Sequence, residues 1–264
     1  MKIIVCLKQV PDTAATIKVK PDGSGVETEG ITYVINPYDE FALEEALRIK
    51  ERLGEGEVTV ITLGPPKAKE ALRTALAMGA DKGVHLSDPA FEGGDSYATA
   101  KALARAIQGL PYDLILCGKQ AVDDDAAQVG PAMAELLGLP QACVITKLEI
   151  DANRKKAVVH RQIEGASEIM EVSLPAVFTA QKGLNEPRYP SLKGIMGAKK
   201  KEIAEHNPSS LGLSPEEVGL AGSKVKILKL SPPPSRATGK ILEGEPREQA
   251  SQLVKLLREE AKII

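Results

Sequence analysis

Residues 114–131 have the sequence LILCGKQAVDDDAAQVGP, and this stretch decides the fold class of the 264-residue chain. The apolar run before Gly118 predicts a buried strand, and the run 128–137, which is followed by Gly138, predicts a helix. A polar loop therefore joins the carboxyl end of a strand to the start of a helix. In open α/β folds such loops lie at the sheet edge where ligands bind.

The same alternation of strands and helices fills the first half of the chain. The predicted strands are 2–7, 58–63, 83–86 and 113–117, and the predicted helices are 36–49, 67–78, 96–107 and 128–137. Aromatic residues make up only 3% of the chain, so branched aliphatic residues fill the strands, as in a sheet covered by helices. This order predicts an α/β fold with a doubly wound parallel sheet and right-handed crossovers.

The pattern changes after Pro140. The segments 144–150, 157–162, 167–172 and 176–180 are separated by polar turns, and we expect them to extend or flank the sheet as antiparallel strands or hairpins. From Asn185 onward Pro and Gly become frequent and long apolar runs stop. The sequence thus predicts an α/β domain over 1–205 and a C-terminal extension over 206–264.

The extension ends in a predicted helix, 247–261, that has one apolar face. This face is formed by Ala250, Leu253, Leu256 and Leu257. Because the extension has little core of its own, we expect it to pack on another chain.

Composition and charge exclude several classes of function. Lys+Arg 34 against Asp+Glu 36 gives a net charge of −2, so no global field attracts nucleic acid or an anionic membrane. No run approaches the ~20 apolar residues of a membrane span, and the N-terminus lacks a secretory signal pattern. Cys6, Cys117 and Cys143 show no metal-binding spacing. We therefore expect a cytoplasmic protein without membrane insertion, nucleic-acid partner or metal.

Asp123, Asp124 and Asp125 allow two interpretations. Carboxylates at a helix start can simply cap the helix and complement its dipole. If the loop binds a phosphate, the carboxylates repel it, so the anion has to sit on backbone amides. The loop lacks the P-loop pattern and the spaced glycines of a Rossmann fingerprint, which disfavours ATP hydrolysis and ordinary NAD binding.

The loop and several other motifs resemble one family. Residues 118–125 (GKQAVDDD), followed by 128–130 (QVG), are similar to the nucleotide-binding signature of the β (small) subunit of electron-transfer flavoproteins. The likeness continues at 8–12 (KQVPD), 36–46 (NPYDEFALEEA), 73–81 (RTALAMGAD), 184–189 (LNEPRY) and 195–201 (IMGAKKK). It covers about residues 1 to 205 in order, and it implies the adenine-nucleotide hydrolase-like form of the α/β fold.

The resemblance implies a heterodimer with an electron-transfer flavoprotein α subunit. An FAD shared with the α subunit, and held mainly by it, would accept electrons from flavin dehydrogenases such as acyl-CoA dehydrogenases. A quinone oxidoreductase or another acceptor would receive them, as in fatty acid beta-oxidation. The chain is then an electron-carrier subunit rather than a stand-alone enzyme, and we assign no catalytic acid, base or nucleophile.

The family's β subunit also buries a second nucleotide. This is AMP in a structural role in non-bifurcating members, and a second FAD in electron-bifurcating members that oxidise NADH. Carried over position by position, the site comprises Cys6, Asn36, Pro37, Tyr38, Asp39, Leu63, Gly118, Lys119, Gln120, Ala121, Val122, Asp123, Asp124, Asp125, Ala126, Ala127, Gln128 and Val129. Cys6, Leu63 and Gly118 end three predicted parallel strands, so these positions can converge on one crevice.

The choice between AMP and a second FAD rests on conflicting residues. Thr13 with residues 9–12, and the run 128–131, resemble the bifurcating branch, whereas Lys119 and the aspartates 123–125 resemble the non-bifurcating one. Asp124 stands where many bifurcating members have glycine, and we expect it to restrict the backbone freedom that a flavin ring system requires. We therefore expect AMP.

The segment 184–197 is similar to the family's recognition loop, which anchors partner dehydrogenases. Its candidate partner-binding residues are Tyr189, Leu192, Ile195 and Met196. Without the resemblance, an ordinary surface loop is the alternative interpretation.

Two rival functions share parts of this pattern. A non-redox adenine-nucleotide-binding module would use the same strand–loop–helix site, but it would need neither the recognition loop nor the long extension. An ATP-dependent ligase is disfavoured because the chain has no P-loop, and because His85, His160 and His206 stand apart from any paired nucleophile or base.

Overall fold

A nine-stranded, mostly parallel sheet forms the centre of the computed structural model, which describes residues 1–151, 153, 155–234 and 239–264. A separate two-stranded ribbon consists of β2 and β3. In chain order the strands are β1 (Lys2–Cys6), β2 (Gln9–Pro11), β3 (Tyr33–Ile35), β4 (Glu57–Leu63), β5 (Lys82–Leu86), β6 (Leu114–Gly118), β7 (Gln141–Asp151), β8 (Lys156–Ile163), β9 (Ala166–Ser173), β10 (Val177–Ala180) and β11 (Ile203–His206).

Helices alternate with the strands in the first half of the chain and follow them in the second. They are α1 (Pro37–Leu53), α2 (Lys69–Met78), α3 (Ser96–Gln108), α4 (Val129–Leu137), α5 (Leu192–Ala198), α6 (Gly219–Gly222) and α7 (Pro246–Glu259). None of the described helices is both long enough and apolar enough to cross a membrane.

The strand order is β11-β5-β4-β1-β6-β10-β7-β8-β9, and it confirms the predicted α/β fold. Strand β1 pairs in parallel with β4 on one side and with β6 on the other. The chain order therefore reverses at β1, and the carboxyl ends of β1, β4 and β6 lie at one edge of the sheet. Open α/β sheets bind ligands at such a switch point.

The alternation of side chains along β1 separates two apolar cores. Ile3 and Val5 pack with residues of α1 and α2, whereas Ile4 and Cys6 pack with residues of α3 and α4. Helices therefore cover both faces of the sheet, which is why its central strands are apolar on both faces.

The prediction for residues 176–180 was wrong in orientation. We expected an antiparallel strand, but β10 is inserted between β6 and β7 and pairs in parallel with both. All four residues of β10 are buried, and a strand buried on both faces fits the middle of a sheet rather than its margin. The antiparallel prediction is confirmed for β7, β8 and β9, which form the outer part of the sheet.

Strand β11 and the helices α5 and α6, all after residue 185, were not predicted. Strand β11 pairs in parallel with β5 at the opposite edge, and α5 occupies the second half of the predicted recognition loop. Both are short, and only two of the four residues of β11 are apolar, so neither carries a long periodic pattern.

The described chain divides into two compact units. The sheet unit consists of residues 1–17 and 27–228, and the tail unit consists of residues 18–26 and 229–264. The tail unit contains α7, which agrees with the helix predicted over 247–261, and a bridge between Val19 and Val26. The predicted domain boundary at residue 205 stays a prediction.

Candidate nucleotide site

Most of the predicted site residues lie at the carboxyl edge of β1, β4 and β6. Cys6 and Leu63 are the last residues of β1 and β4, and Gly118 is the last residue of β6. The loop 119–128 then runs from β6 to α4. Residues 36–38 bring the start of α1 to the same edge, as the contacts of Asn36 with this loop demonstrate.

Asn36 holds the loop to the start of α1. Its side-chain amide donates to the carbonyl oxygen of Gln120 at 2.8 Å, and its side-chain oxygen accepts from the N–H of Val122 at 3.1 Å. Asn36 is 1% exposed. Both polar atoms of this side chain are therefore used to shape the loop.

Asp39 joins three segments at the same edge. Its Oδ2 accepts from the backbone N–H of Lys8 at 2.7 Å, and its Oδ1 accepts from the N–H of Gly118 at 2.9 Å. Burial raises the pKa of the Asp39 carboxyl to about 7, and the N–H groups of Lys8 and Gly118 counteract only part of this effect. A Cβ atom at position 118 would clash with Asp39 Oδ1 and lie 2.7 Å from Tyr38 Cβ. This close approach explains why glycine ends β6.

The three carboxylates of the loop have partners within the protein. The Nζ atom of Lys8 lies 2.8 Å from Asp123 Oδ1 and 3.0 Å from Asp124 Oδ2, and Asp125 accepts from the side-chain amide of Gln120. Burial lowers the pKa of Lys8, but its hydrogen bonds and ion pairs with Asp123 and Asp124 outweigh burial and raise the pKa overall. These contacts engage all three carboxylates.

The backbone after the acidic residues presents free donors. Asp125 and Ala127 have positive φ angles of 51° and 53°, so the left-handed conformation falls on these residues and not on Asp124. Helix α4 has no side-chain cap at Gln128. In the described part of the chain, the N–H groups of Ala127, Gln128 and Val129 donate to no protein acceptor. Uncapped amides at a helix N-terminus favour an anion, so the loop fits a phosphate group.

Two further contacts, one at Gly130 and one at Tyr38, complete the local geometry. Gly130 allows α4 to lie close to the sheet, since a Cβ atom at this position would stand 2.7 Å from Thr179 Cγ2. The Nζ atom of Lys119 lies 4.9 Å from the ring centre of Tyr38, a cation–π contact between the loop and α1.

Cys6 and Cys117 belong to the core beneath this site. Both are buried, and the Sγ atom of Cys6 lies 3.8 Å from the Sδ atom of Met133 in α4. Burial raises the pKa of both thiols far above their ordinary value, so both are neutral near pH 7. Cys6 and Cys117 thus pack as small core residues.

The candidate partner-binding residues lie on a different part of the sheet unit. Tyr189, Leu192, Ile195 and Met196 are 94%, 83%, 47% and 73% exposed, and three of them belong to α5. The guanidinium of Arg73 in α2 donates to the carbonyl oxygens of Ala198 and Lys201 at 2.6 and 2.9 Å, which holds the end of α5 on α2. Leu192, Ile195 and Met196 thus form an exposed apolar patch on a helix held in place, and Tyr189 is exposed in the segment before it.

The roles of two basic residues were not identified from the sequence. One is Lys8, which was recognised as part of a motif but not as a site residue, although it follows the end of β1 at the ligand edge. The other is Arg188, which binds the buried carboxylate of Glu44 through Nε at 2.8 Å and also pairs with Glu51. A charged residue directly after a central strand was a usable signal for Lys8, whereas no local pattern marks the partners of Arg188.

Comparisons with known proteins agree with this architecture. A family model described as "Electron transfer flavoprotein domain" matches residues 24–211. The chain is 47% identical over 258 residues to "Electron transfer flavoprotein subunit beta" of Thermoanaerobacterium thermosaccharolyticum, covering 97% of this chain and 98% of the relative. It is 40% identical over 241 residues to the human protein of the same name, covering 90% and 91% of the two chains.

A third relative carries a different name. "Caffeyl-CoA reductase-Etf complex subunit CarD" of Acetobacterium woodii is 44% identical over 261 residues, which covers 98% of each chain. Family match and near full-length identity lead to the same conclusion: the chain belongs to the electron transfer flavoprotein family, as a beta subunit.

Proposed function

We propose that this chain, as a beta subunit that pairs with an alpha subunit, is the nucleotide-holding half of a soluble electron carrier in the cytoplasm. The near full-length identity to beta subunits carries this proposal. An FAD held mainly by the alpha subunit supplies the reversible uptake and release of electrons. The donors are flavin dehydrogenases such as acyl-CoA dehydrogenases, and the acceptor is a quinone oxidoreductase or another electron acceptor, which places the protein in fatty acid beta-oxidation.

The second nucleotide of the proposal is AMP in the crevice beside α4. Its phosphate would accept hydrogen bonds from the free N–H groups of Ala127, Gln128 and Val129. Residues at the carboxyl end of β1 and at the start of α1 would surround the nucleoside. Asn36 and Asp39 shape the loop through their bonds to Val122 and Gly118. In this arrangement AMP is structural, since it would join the loop to α4 at a place where the protein leaves donors unused.

The exposed patch on α5 suits the docking of partner dehydrogenases. Leu192 is the most exposed apolar residue of α5, and its helix is held on α2 by Arg73. A small apolar anchor on a fixed helix loses little conformational entropy when it enters a pocket on a partner.

A second candidate function is electron bifurcation, with a second FAD in place of AMP and NADH as electron donor. The similarity to a subunit of a complex named for a caffeyl-CoA reductase favours it, because that name joins the flavoprotein to a reductase rather than to a dehydrogenase. Thr13 and residues 128–131 also resemble the bifurcating branch. The same backbone amides would then face the pyrophosphate of FAD.

Counting the released nucleotides distinguishes these functions. The chain is co-expressed with the alpha subunit, and FAD and AMP per heterodimer are measured by chromatography after denaturation. One FAD and one AMP support the electron carrier with structural AMP, whereas two FAD and no AMP support bifurcation. A colourless chain that binds adenine nucleotide without flavin would overturn both in favour of a non-redox nucleotide-binding module.

A further inference from the structure

Lys8 is held between the start of α1 and the acidic loop. Its N–H donates to Asp39 Oδ2 at 2.7 Å, and its carbonyl oxygen accepts from the N–H of Asn36 at 2.9 Å. Both backbone polar groups of Lys8 are therefore hydrogen-bonded, and its side chain extends to the loop, where Nζ binds Asp123 and Asp124 at 2.8 and 3.0 Å. Asp123 and Asp124 lie 115 and 116 positions after Lys8 in the sequence, so these contacts are long-range.

The loop carries a charge of the wrong sign for a phosphate. Asp123, Asp124 and Asp125 lie within six residues of the free N–H groups at 127–129. A carboxylate near a bound phosphate repels it, and this repulsion weakens phosphate binding. Asp125 bonds the neutral amide of Gln120, so this contact leaves its charge uncompensated.

Two lysines near the loop, Lys8 and Lys119, make different contacts. Lys119 lies over the ring of Tyr38 rather than on a carboxylate. Within the described chain, Lys8 is the cation that forms ion pairs with the carboxylates of the loop. Its side chain is 42% exposed, so salt in solution screens its charge partly.

We propose that Lys8 is the residue that lets this acidic loop accept the phosphate of a nucleotide, by neutralising Asp123 and Asp124 rather than by touching the phosphate. Lys8 is then a positioning residue that acts through the two aspartates. This inference rests on the proposed nucleotide site. The hydrogen bonds of the Lys8 backbone with Asp39 and Asn36 contribute to this role, because they fix the point from which the Lys8 side chain reaches the loop.

A mutant cycle in the complex with the alpha subunit tests the proposal. The variants are Lys8→Gln, Asp123→Asn with Asp124→Asn, and all three substitutions together, with Lys8→Arg as the conservative control. The readout is the rate at which bound AMP exchanges with labelled AMP, measured at low and at high salt. We expect Lys8→Gln to accelerate exchange about tenfold at low salt, because two unpaired carboxylates then face the phosphate. Lys8→Arg leaves the rate near that of the wild type.

The triple variant decides between mechanisms. If Lys8 acts by neutralising the aspartates, the triple variant exchanges AMP as slowly as the double aspartate variant. If Lys8 contacts the phosphate directly, or is needed only for folding, the triple variant stays as fast as Lys8→Gln, and the proposal is overturned. Should Lys8→Gln fail to assemble, recovery of assembly and AMP in the triple variant supports the same role. A wild-type complex without bound nucleotide would instead refute the proposed site itself, and the inference with it.

Discussion

Asp39 keeps a carboxylate in the core between α1, β1 and β6. It is 5% exposed, and its two oxygens accept N–H groups from Lys8 and Gly118. Burial opposes the charged form, and it raises the pKa of this carboxyl to about 7. The geometry of the loop therefore depends on a group that titrates near neutral pH.

The pKa of Asp39 predicts a pH dependence of stability. The ordinary Asp pKa is 3.8, so between about pH 4 and about pH 7 the folded chain holds a proton that the unfolded chain has released. The free energy of unfolding therefore falls as pH rises through this window, by up to about 1.4 kcal/mol per pH unit. Above about pH 7 this contribution to the slope ends.

Urea unfolding of the wild type and of Asp39→Asn, from pH 5 to pH 8, measures this slope. Groups common to both proteins cancel in the difference between the two curves. We expect the stability of the wild type relative to the variant to decline up to about pH 7 and then to become constant. Two parallel curves would show that the carboxyl of Asp39 titrates alike in the folded and unfolded chain.

At the scale of elements, α1 anchors the segment that leads into α5. Glu44 of α1 is buried, and it accepts hydrogen bonds from the backbone and guanidinium of Arg188 and from Arg48. These bonds lower the pKa of Glu44 overall, although burial raises it. Asn185 donates to the carbonyl oxygen of Phe41 in the same helix at 2.9 Å. The polar positions of α1 thus hold a segment about 140 residues away.

Arg188→Ala is expected to lower the free energy of unfolding by about 2 kcal/mol. The variant leaves the buried Glu44 with Arg48 as its remaining cation, and a buried charge that loses one partner is destabilising. Lys147→Ala is the matched control, because Lys147 pairs with Glu149 on the surface, where both side chains are more than half exposed. Its loss is expected to cost less than about 0.5 kcal/mol. Chemical denaturation compares the variants, and equal losses would contradict the assigned role of Arg188.

The whole molecule consists of two units that differ in how much apolar core they contain. The two apolar core clusters lie entirely in the sheet unit. The tail unit, residues 18–26 and 229–264, holds α7, which has no buried residue and whose Leu253 and Val254 are about half exposed. A helix with such a face needs another surface to cover it, and we propose that the alpha subunit supplies this surface.

Removal of residues 229–264 is expected to leave the sheet unit folded but to abolish co-purification with the alpha subunit. The sheet unit keeps both core clusters, so its cooperative thermal unfolding persists within a few degrees of the full chain. Circular dichroism follows unfolding, and affinity purification of a tagged alpha subunit follows assembly. A matched deletion of residues 260–264, which lie beyond α7, should retain the alpha subunit. Co-purification of the longer deletion would contradict the role given to the tail.

Local patterns in the sequence determined the class of the fold. The apolar runs at 2–7, 58–63 and 113–117, with periodic segments between them, were sufficient for the parallel sheet and its helices. The run at 114–131 placed the loop at the carboxyl edge. These features could be predicted because strand and helix periodicity are properties of neighbouring residues. Membership of the family followed from motifs that stand together in the chain.

The tertiary structure decided the placements and pairings that no local pattern records. Strand β10 carries the same apolar character in a parallel or an antiparallel setting, and its direction is fixed only by its insertion between β6 and β7, with both of which it pairs in parallel. The partners of Lys8 lie 115 and 116 residues away, so its role depended on the sheet bringing β1 beside β6. Asp39 is one acidic residue among many in the sequence, and its raised pKa arises from burial at the meeting point of three segments. Composition and spacing describe neighbours along the chain, whereas charge, hydrogen bonding and burial at the site depend on which distant residues the fold brings into contact.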